Sequence, residues 1–151
     1  MPVVIVMGPP ASGKSTFIKE NFKDKEVVDL FNFQEHILPT HESVWQSYVD
    51  CAEHLKEKIR EGKDIVLEHT LLKRKRREWY ISQIREVTDD DITIYCVLPT
   101  IDEYYQRCKK RNQPITKSTA KLMLDELEVP TGDEGYKSVY IINEQNEKYE
   151  K

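Results

Sequence analysis

The 151-residue chain has no apolar run that approaches the length of a bilayer span, which takes about 20 predominantly apolar residues as a helix. Cysteine is scarce: Cys51, Cys96 and Cys108 are odd in number, widely spaced and form no C-x-x-C pair. That excludes a disulfide framework and leaves buried thiols in a reducing cytosol as the expected state. His36, His41 and His54 have no ligand-like spacing to cysteine or carboxylate, so no structural metal centre is expected. An excess of positive charge is also missing. The formal net charge is -4, whereas proteins that hold long nucleic acid mainly by charge tend to be basic, so any such contact must use a local patch. The stretch Met1 to Met7 is apolar but short. It lacks a charged leader and runs straight into a glycine loop, so it reads as a strand and not as a signal peptide. No internal repeat and no second domain are evident, and the expectation is one cytoplasmic domain.

What is present is organised. With 38% hydrophobic residues the chain can bury one modest core, and its apolar residues come in runs although 33% of the chain is charged. Val3 to Met7 is mostly β-branched and suits a buried parallel strand. Helix is expected from Lys14 to Phe22 and strand from Val27 to Leu30. After Pro39 and Thr40, Val44, Tyr48, Cys51, Leu55 and Ile59 recur at helical spacing until Gly62 closes the pattern. Ile65 to Leu67 reads as strand, and Lys73 to Val87 as helix with Arg77, Ile81 and Ile84 on one side. Ile92 to Leu98 reads as strand, Ile101 to Arg111 and Thr116 to Leu127 as helices, and Ser138 to Ile142 as a last strand. The polar tail, residues 143–151, is expected to fray. Alternating strands and helices indicate an α/β domain with a mainly parallel sheet.

Gly8-Pro9-Pro10-Ala11-Ser12-Gly13-Lys14-Ser15 fits G-x-x-x-x-G-K-[ST], between a strand and a helix. The two glycines allow backbone angles that a side chain would obstruct. The loop then turns its amides inward as an anion nest, and the following helix adds its positive end. Gly8, Ala11, Ser12, Gly13, Lys14, Ser15 and Thr16 are the expected triphosphate contacts. Lys14 reaches the β- and γ-phosphates, the hydroxyl of Ser15 ligates Mg²⁺, and Thr16 touches the α-phosphate. A guanine-selecting N-K-x-D motif is absent, which tilts the expected triphosphate toward ATP.

Three further stretches resemble one family, the small P-loop kinases related to the 5′-hydroxyl polynucleotide kinases, and the resemblance runs from Val3 to Ile142. Glu68-His69-Thr70-Leu71-Leu72, followed by Arg76-Arg77, is similar to the family's D-N-T-N-L-x-x-x-R-R. Tyr105 to Arg111 looks like its R-x-x-x-R lid. Pro130 to Tyr136 is similar to the P-x-x-x-E-G-[FY] before its last strand. The resemblance implies a P-loop fold with a five-stranded parallel sheet, helices on both faces, and an adenylate-kinase-like helical lid over residues 105–118. The lid pair also has a physical logic. Arg107 and Arg111 are four apart and share a helix face, and guanidinium forks suit the charge of phosphoryl transfer. A solvated basic helix end, with Lys109 and Lys110 between them, is the alternative.

The resemblance departs on the acceptor side. The family carries, after its second strand, an Asp that activates the acceptor hydroxyl and an Arg that grips substrate phosphate. Those positions fall on Phe31 and Gln34. Asp29 and Glu68, at the ends of expected parallel strands where ligands bind in open α/β sheets, are the remaining candidates. Either could orient the acceptor, and Glu68 could instead hold the metal with Ser15. The run Lys73-Arg74-Lys75-Arg76-Arg77 could grip a phosphorylated or polynucleotide substrate, or simply solvate a helix start. Trp79 and Tyr80 could stack a base or pack the helix on the sheet. The expectation is therefore an ATP- and Mg²⁺-dependent phosphotransferase acting on a small-molecule or nucleic-acid 5′-hydroxyl. The other reading is a nucleotide-binding regulatory ATPase module with little or no transfer. No membrane partner is expected.

Overall fold

The computed structural model describes residues 2–9, 12–34, 40–99, 106, 109–110, 125–142 and 148–150. Its elements are β1 (Val3–Met7), α1 (Lys14–Asn21), β2 (Glu26–Asp29), a short 3-10 turn (Leu30–Phe33), α2 (His41–Arg60), β3 (Ile65–His69), α3 (Arg74–Arg85), β4 (Ile92–Val97), a second 3-10 turn (Gly132–Glu134), β5 (Ser138–Ile142) and β6 (Lys148–Glu150). The sheet order is β2-β3-β1-β4-β5-β6. The first five strands are parallel, as expected. β6 adds an antiparallel edge to β5, so three residues of the tail expected to fray are paired to the sheet.

The central strand shows why the fold is two-sided. Val3, Ile5 and Met7 join a core with α2 and α3 residues, including Leu55, Tyr80 and Ile84. Val4 and Val6 point the other way, into a cluster with Phe17 and Ile18 of α1. Alternation across a strand with both faces covered requires a continuous apolar run, which is what β1 has. Each such side chain contributes about 1.5–3 kcal/mol on burial.

Local signals set the element ends. Thr40 and Ser43 form a reciprocal capping box that starts α2, and the helix stops before Gly62, whose φ is +75°. β3 continues two residues past the apolar run that announces it. Its ladder keeps pairing, with Glu68 beside Val6 on one flank and Asp29 on the other. That extension brings both candidate carboxylates to the edge where β1 runs into the phosphate loop. The expected helices at 101–111 and 116–127 fall mostly outside the described residues.

Candidate active site

Gly8 follows β1 in a place that admits no side chain. A Cβ there would lie 2.4 Å from the carbonyl oxygen of Val97 and 2.7 Å from Ser12 Oγ. The loop therefore lies directly on the end of β4. Gly13 adopts φ 102° and ψ 14° as the N-cap of α1, a left-handed conformation that costs glycine little. Having no side chain, it leaves the helix start uncapped by one, and the first turn carries no acidic residue. The positive end of α1 is thus left to an anion from elsewhere. The Ser12 amide donates to Pro9 O at 3.2 Å, closing the turn of the loop. Lys14 is only 9% exposed, and its ammonium curls back to donate to Gly8 O at 2.9 Å and Pro9 O at 3.0 Å. Ala11 lies outside the described residues. Thr16 is exposed on the first turn of α1.

Ser15 Oγ donates to Glu68 Oε2 at 2.9 Å, across 53 residues of sequence. This contact brings together two expected site residues that only the fold makes neighbours. Among the described residues there is no group of three or more His, Cys, Asp or Glu that could cage a metal. A hydroxyl and a carboxylate side by side do fit Mg²⁺, which is commonly held by one or two carboxylates plus substrate phosphates and water. Asp29 stands next to Glu68 in the β2–β3 register, and its Oδ1 accepts the amide of Phe31 at 3.0 Å, capping the 3-10 turn. Phe31 projects as a 61% exposed ring.

His69 ends β3 on the opposite face and is 1% exposed. Its Nδ1 accepts the Leu71 amide at 3.2 Å, so the ring proton sits on Nε2 and is donated to Tyr80 Oη at 3.1 Å. Tyr80 in turn donates to Tyr48 O at 2.9 Å. Burial, with the nearby charge of Lys14 adding, lowers the imidazole pKa to about 3. His69 is therefore a neutral structural histidine that pins the bend after Glu68. Leu71, at that bend, has φ +43°, a conformation uncommon for a side-chain-bearing residue.

The basic run after β3 is divided by the fold. Arg77 is buried, and its guanidinium pairs two-pronged with Glu134, Nε to Oε1 at 2.8 Å and Nη2 to Oε2 at 3.1 Å. Its Nη1 donates to Leu71 O at 2.8 Å. Thr131 N and Tyr136 Oη supply further donors to Glu134. Two stretches that looked like separate motifs are thus one buried junction, and Arg77 does not face substrate. The sequence alone offered a single hint of this, a lone Glu between turn residues. Arg74 pairs with Glu78 and Asp133. Lys73, Lys75 and Arg76 remain at the surface. Tyr80 is fully buried, and Trp79 packs against Trp45 with ring centroids 4.9 Å apart. Of the two readings for this aromatic pair, packing is therefore the one realised by Tyr80. Arg107 and Arg111 lie outside the described residues.

The AAA domain family matches residues 3–130, and the chain belongs to that family. No curated protein matches it. Solved structures share its fold. A gluconokinase from Sinorhizobium meliloti is 16% identical with a TM-score of 0.67, over 94% of this chain and 82% of that one. A sugar kinase from Janibacter is 20% identical with a TM-score of 0.68, over 95% and 85%. A chain of an RNA repair complex is 18% identical with a TM-score of 0.70, over 83% of this chain and 43% of that one. At these identities the likeness is one of fold: a P-loop kinase-like sheet with helices on both faces. No described helix is long and apolar enough to cross a membrane.

Proposed function

We propose that this member of the AAA domain family is an ATP-dependent phosphotransferase that moves the γ-phosphate to a hydroxyl acceptor. It resembles the polynucleotide kinases on its triphosphate side and departs from them on its acceptor side. The observation that carries the reading is the 2.9 Å hydrogen bond between Ser15 of the loop and Glu68 at the end of β3. It joins the phosphate loop to a carboxylate on the edge where open α/β sheets take their ligands.

In this reading the triphosphate lies along Gly8, Ala11, Ser12, Gly13 and Thr16, with Lys14 leaving its carbonyl partners for the β- and γ-phosphates. Ser15 and Glu68 would hold Mg²⁺, which supplies positive charge against the phosphate oxygens. Glu68 is thereby committed to the metal side, and Asp29, its neighbour in register, takes the acceptor proton. The acceptor oxygen forms its bond to the γ-phosphorus as the bond to the β–γ bridging oxygen breaks, and ADP leaves. Arg107 and Arg111 of the lid segment neutralise the charge that spreads over the transferring group. The buried free thiols of Cys51 and Cys96 fit a reducing cytosol.

Phe31 and Gln34 stand where the resemblance puts a base and a phosphate grip. That favours an unusual or small acceptor, in keeping with the gluconokinase and sugar kinase that share the fold. It also supports the second reading, a regulatory nucleotide-binding module. Incubation with γ-labelled ATP and a panel of sugars, nucleosides and 5′-hydroxyl oligonucleotides separates the two. Label transfer to an acceptor, abolished by Lys14→Ala, is the expected result. ATP binding with no transfer to any panel member decides for the module.

A further inference from the structure

The carboxyl edge of the sheet carries a second feature. At the start of α3, Lys73, Lys75, Arg76 and Glu128 line an open surface cavity of about 450 Å³. Lys73 and Lys75 are exposed and have no ion-pair partner among the described residues. Arg76 lays its guanidinium over Trp45, 4.7 Å from the ring centroid, and 5.8 Å from that of Tyr48. The aromatic faces hold it without neutralising it. Among the described lining residues only Glu128 supplies negative charge. Its Oε1 accepts the Arg74 amide at 3.3 Å, and its own amide is tied to Leu72 O at 2.8 Å. Three cations thus meet one carboxylate. Helix stability does not account for them, because cations are unfavourable at a helix N-terminus and the first turn of α3 has no acidic residue.

We propose that this cavity binds a phosphate group carried by the hydroxyl acceptor. The inference rests on the phosphotransferase reading and names its substrate class, a phosphorylated alcohol. Lys73 and Lys75 pair with the phosphate oxygens, and Arg76, steadied by Trp45, closes the third side. Lys73 lies five positions after Glu68, so the two Cα atoms are at most about 18 Å apart even if fully extended. Asp29 pairs with Glu68 in the β2–β3 register, about 5 Å away across the sheet, so a hydroxyl at Asp29 and a phosphate in the cavity are within reach of one molecule, either a small phosphorylated metabolite or the end of an oligonucleotide. The grip absent at Gln34, after β2, is supplied instead after β3.

The chain's two tryptophans, Trp45 and Trp79, both lie in this patch, so intrinsic fluorescence reports on it without any turnover. The full chain is titrated with inorganic phosphate, a hexose monophosphate and a short 5′-hydroxyl oligonucleotide. The same titrations are run on Lys14→Ala, on Lys73→Ala with Lys75→Ala, and on Glu128→Gln, each checked for folding by circular dichroism. At least one probe is expected to bind wild type and Lys14→Ala alike, and to bind the double lysine variant about tenfold or more weakly. Glu128→Gln keeps the oxygen that caps α3 and removes the competing charge, so affinity should rise about fivefold. ATP should show the reverse dependence, lost in Lys14→Ala and kept in the double variant. A steep fall of oligonucleotide binding with salt, absent for the hexose phosphate, assigns the phosphate to a nucleic acid; tighter binding of the hexose phosphate assigns it to a small acceptor. Probe binding lost in Lys14→Ala and kept in the double variant, unchanged affinity in Glu128→Gln, or no binding in the millimolar range overturns the site. Because these results stand whether or not label transfer is seen, failure of the cavity and failure of the phosphotransferase reading are told apart.

Discussion

Replacing Arg77 by Met should be among the most damaging single changes in the described core. Both side chains of the Arg77–Glu134 pair are 0% exposed. Methionine roughly keeps the aliphatic length but leaves the Glu134 carboxylate buried with, among the described residues, only Thr131 N at 3.0 Å, Thr131 Oγ1 at 3.4 Å and Tyr136 Oη at 3.3 Å as donors. Breaking a buried pair from one side costs about 3–5 kcal/mol. The Leu71 carbonyl also loses its 2.8 Å donor, which adds about 1–3 kcal/mol if nothing replaces it. A total of about 4–8 kcal/mol is therefore expected, large against the ~5–15 kcal/mol of a whole domain. In a chain of this size it should lower Tm by about 8–32 °C, at ~2–4 °C per kcal/mol. Adding Glu134→Leu removes the stranded charge, so the double variant should regain about 2 kcal/mol or more of what Arg77→Met loses. Urea unfolding of wild type, both singles and the double gives the cycle directly. A loss below about 1 kcal/mol in Arg77→Met, or losses that simply add in the double, would falsify the claim that one buried ion pair joins α3 to the turn before β5.

Three further outcomes are expected. Glu68→Gln should weaken the Mg²⁺ dependence of transfer, while Asp29→Asn should lower kcat with little change in the metal titration; identical effects in both would mean that the two carboxylates do not divide the work. Arg107→Ala and Arg111→Ala should reduce kcat more than ATP affinity, because a lid clamp acts in the transition state, and equal losses would reduce it to a solvated basic surface. The third concerns His69, whose pKa falls from the ordinary 6.5 to about 3 on folding. The unfolded chain then binds the extra proton first, so stability present at neutral pH is lost as pH falls below about 6.5, at up to ~1.4 kcal/mol per pH unit. Urea midpoints between pH 6.5 and 5, above most carboxylate titration, should slope accordingly in wild type and flatten in His69→Gln. An unchanged slope would show that the imidazole is not held neutral.

The parts of this protein that were legible in its sequence are those made by near neighbours. Gly8, Gly13, Lys14 and Ser15 shape their loop at fixed short offsets, so the phosphate loop can be read as a string. The apolar run of β1, the Thr40 start of α2 and the stop before Gly62 are equally local. The strand Ser138–Ile142 was bounded by its flanking turn residues and forms as read. Tertiary structure alone decided what distant residues do to each other. Ser15 meets Glu68 across 53 residues, and Arg77 meets Glu134 across 57. No periodicity encodes such pairs. In the sequence Arg77 is one of five cations in a row. Helical spacing turns it inward while Lys73, Lys75 and Arg76 stay in solvent. Burial then makes its charge intolerable without a partner, and the turn before β5 supplies one. Sequence determined which residues could carry phosphate chemistry, but the sheet order decided which of them share an edge, because that order depends on non-local packing of both faces.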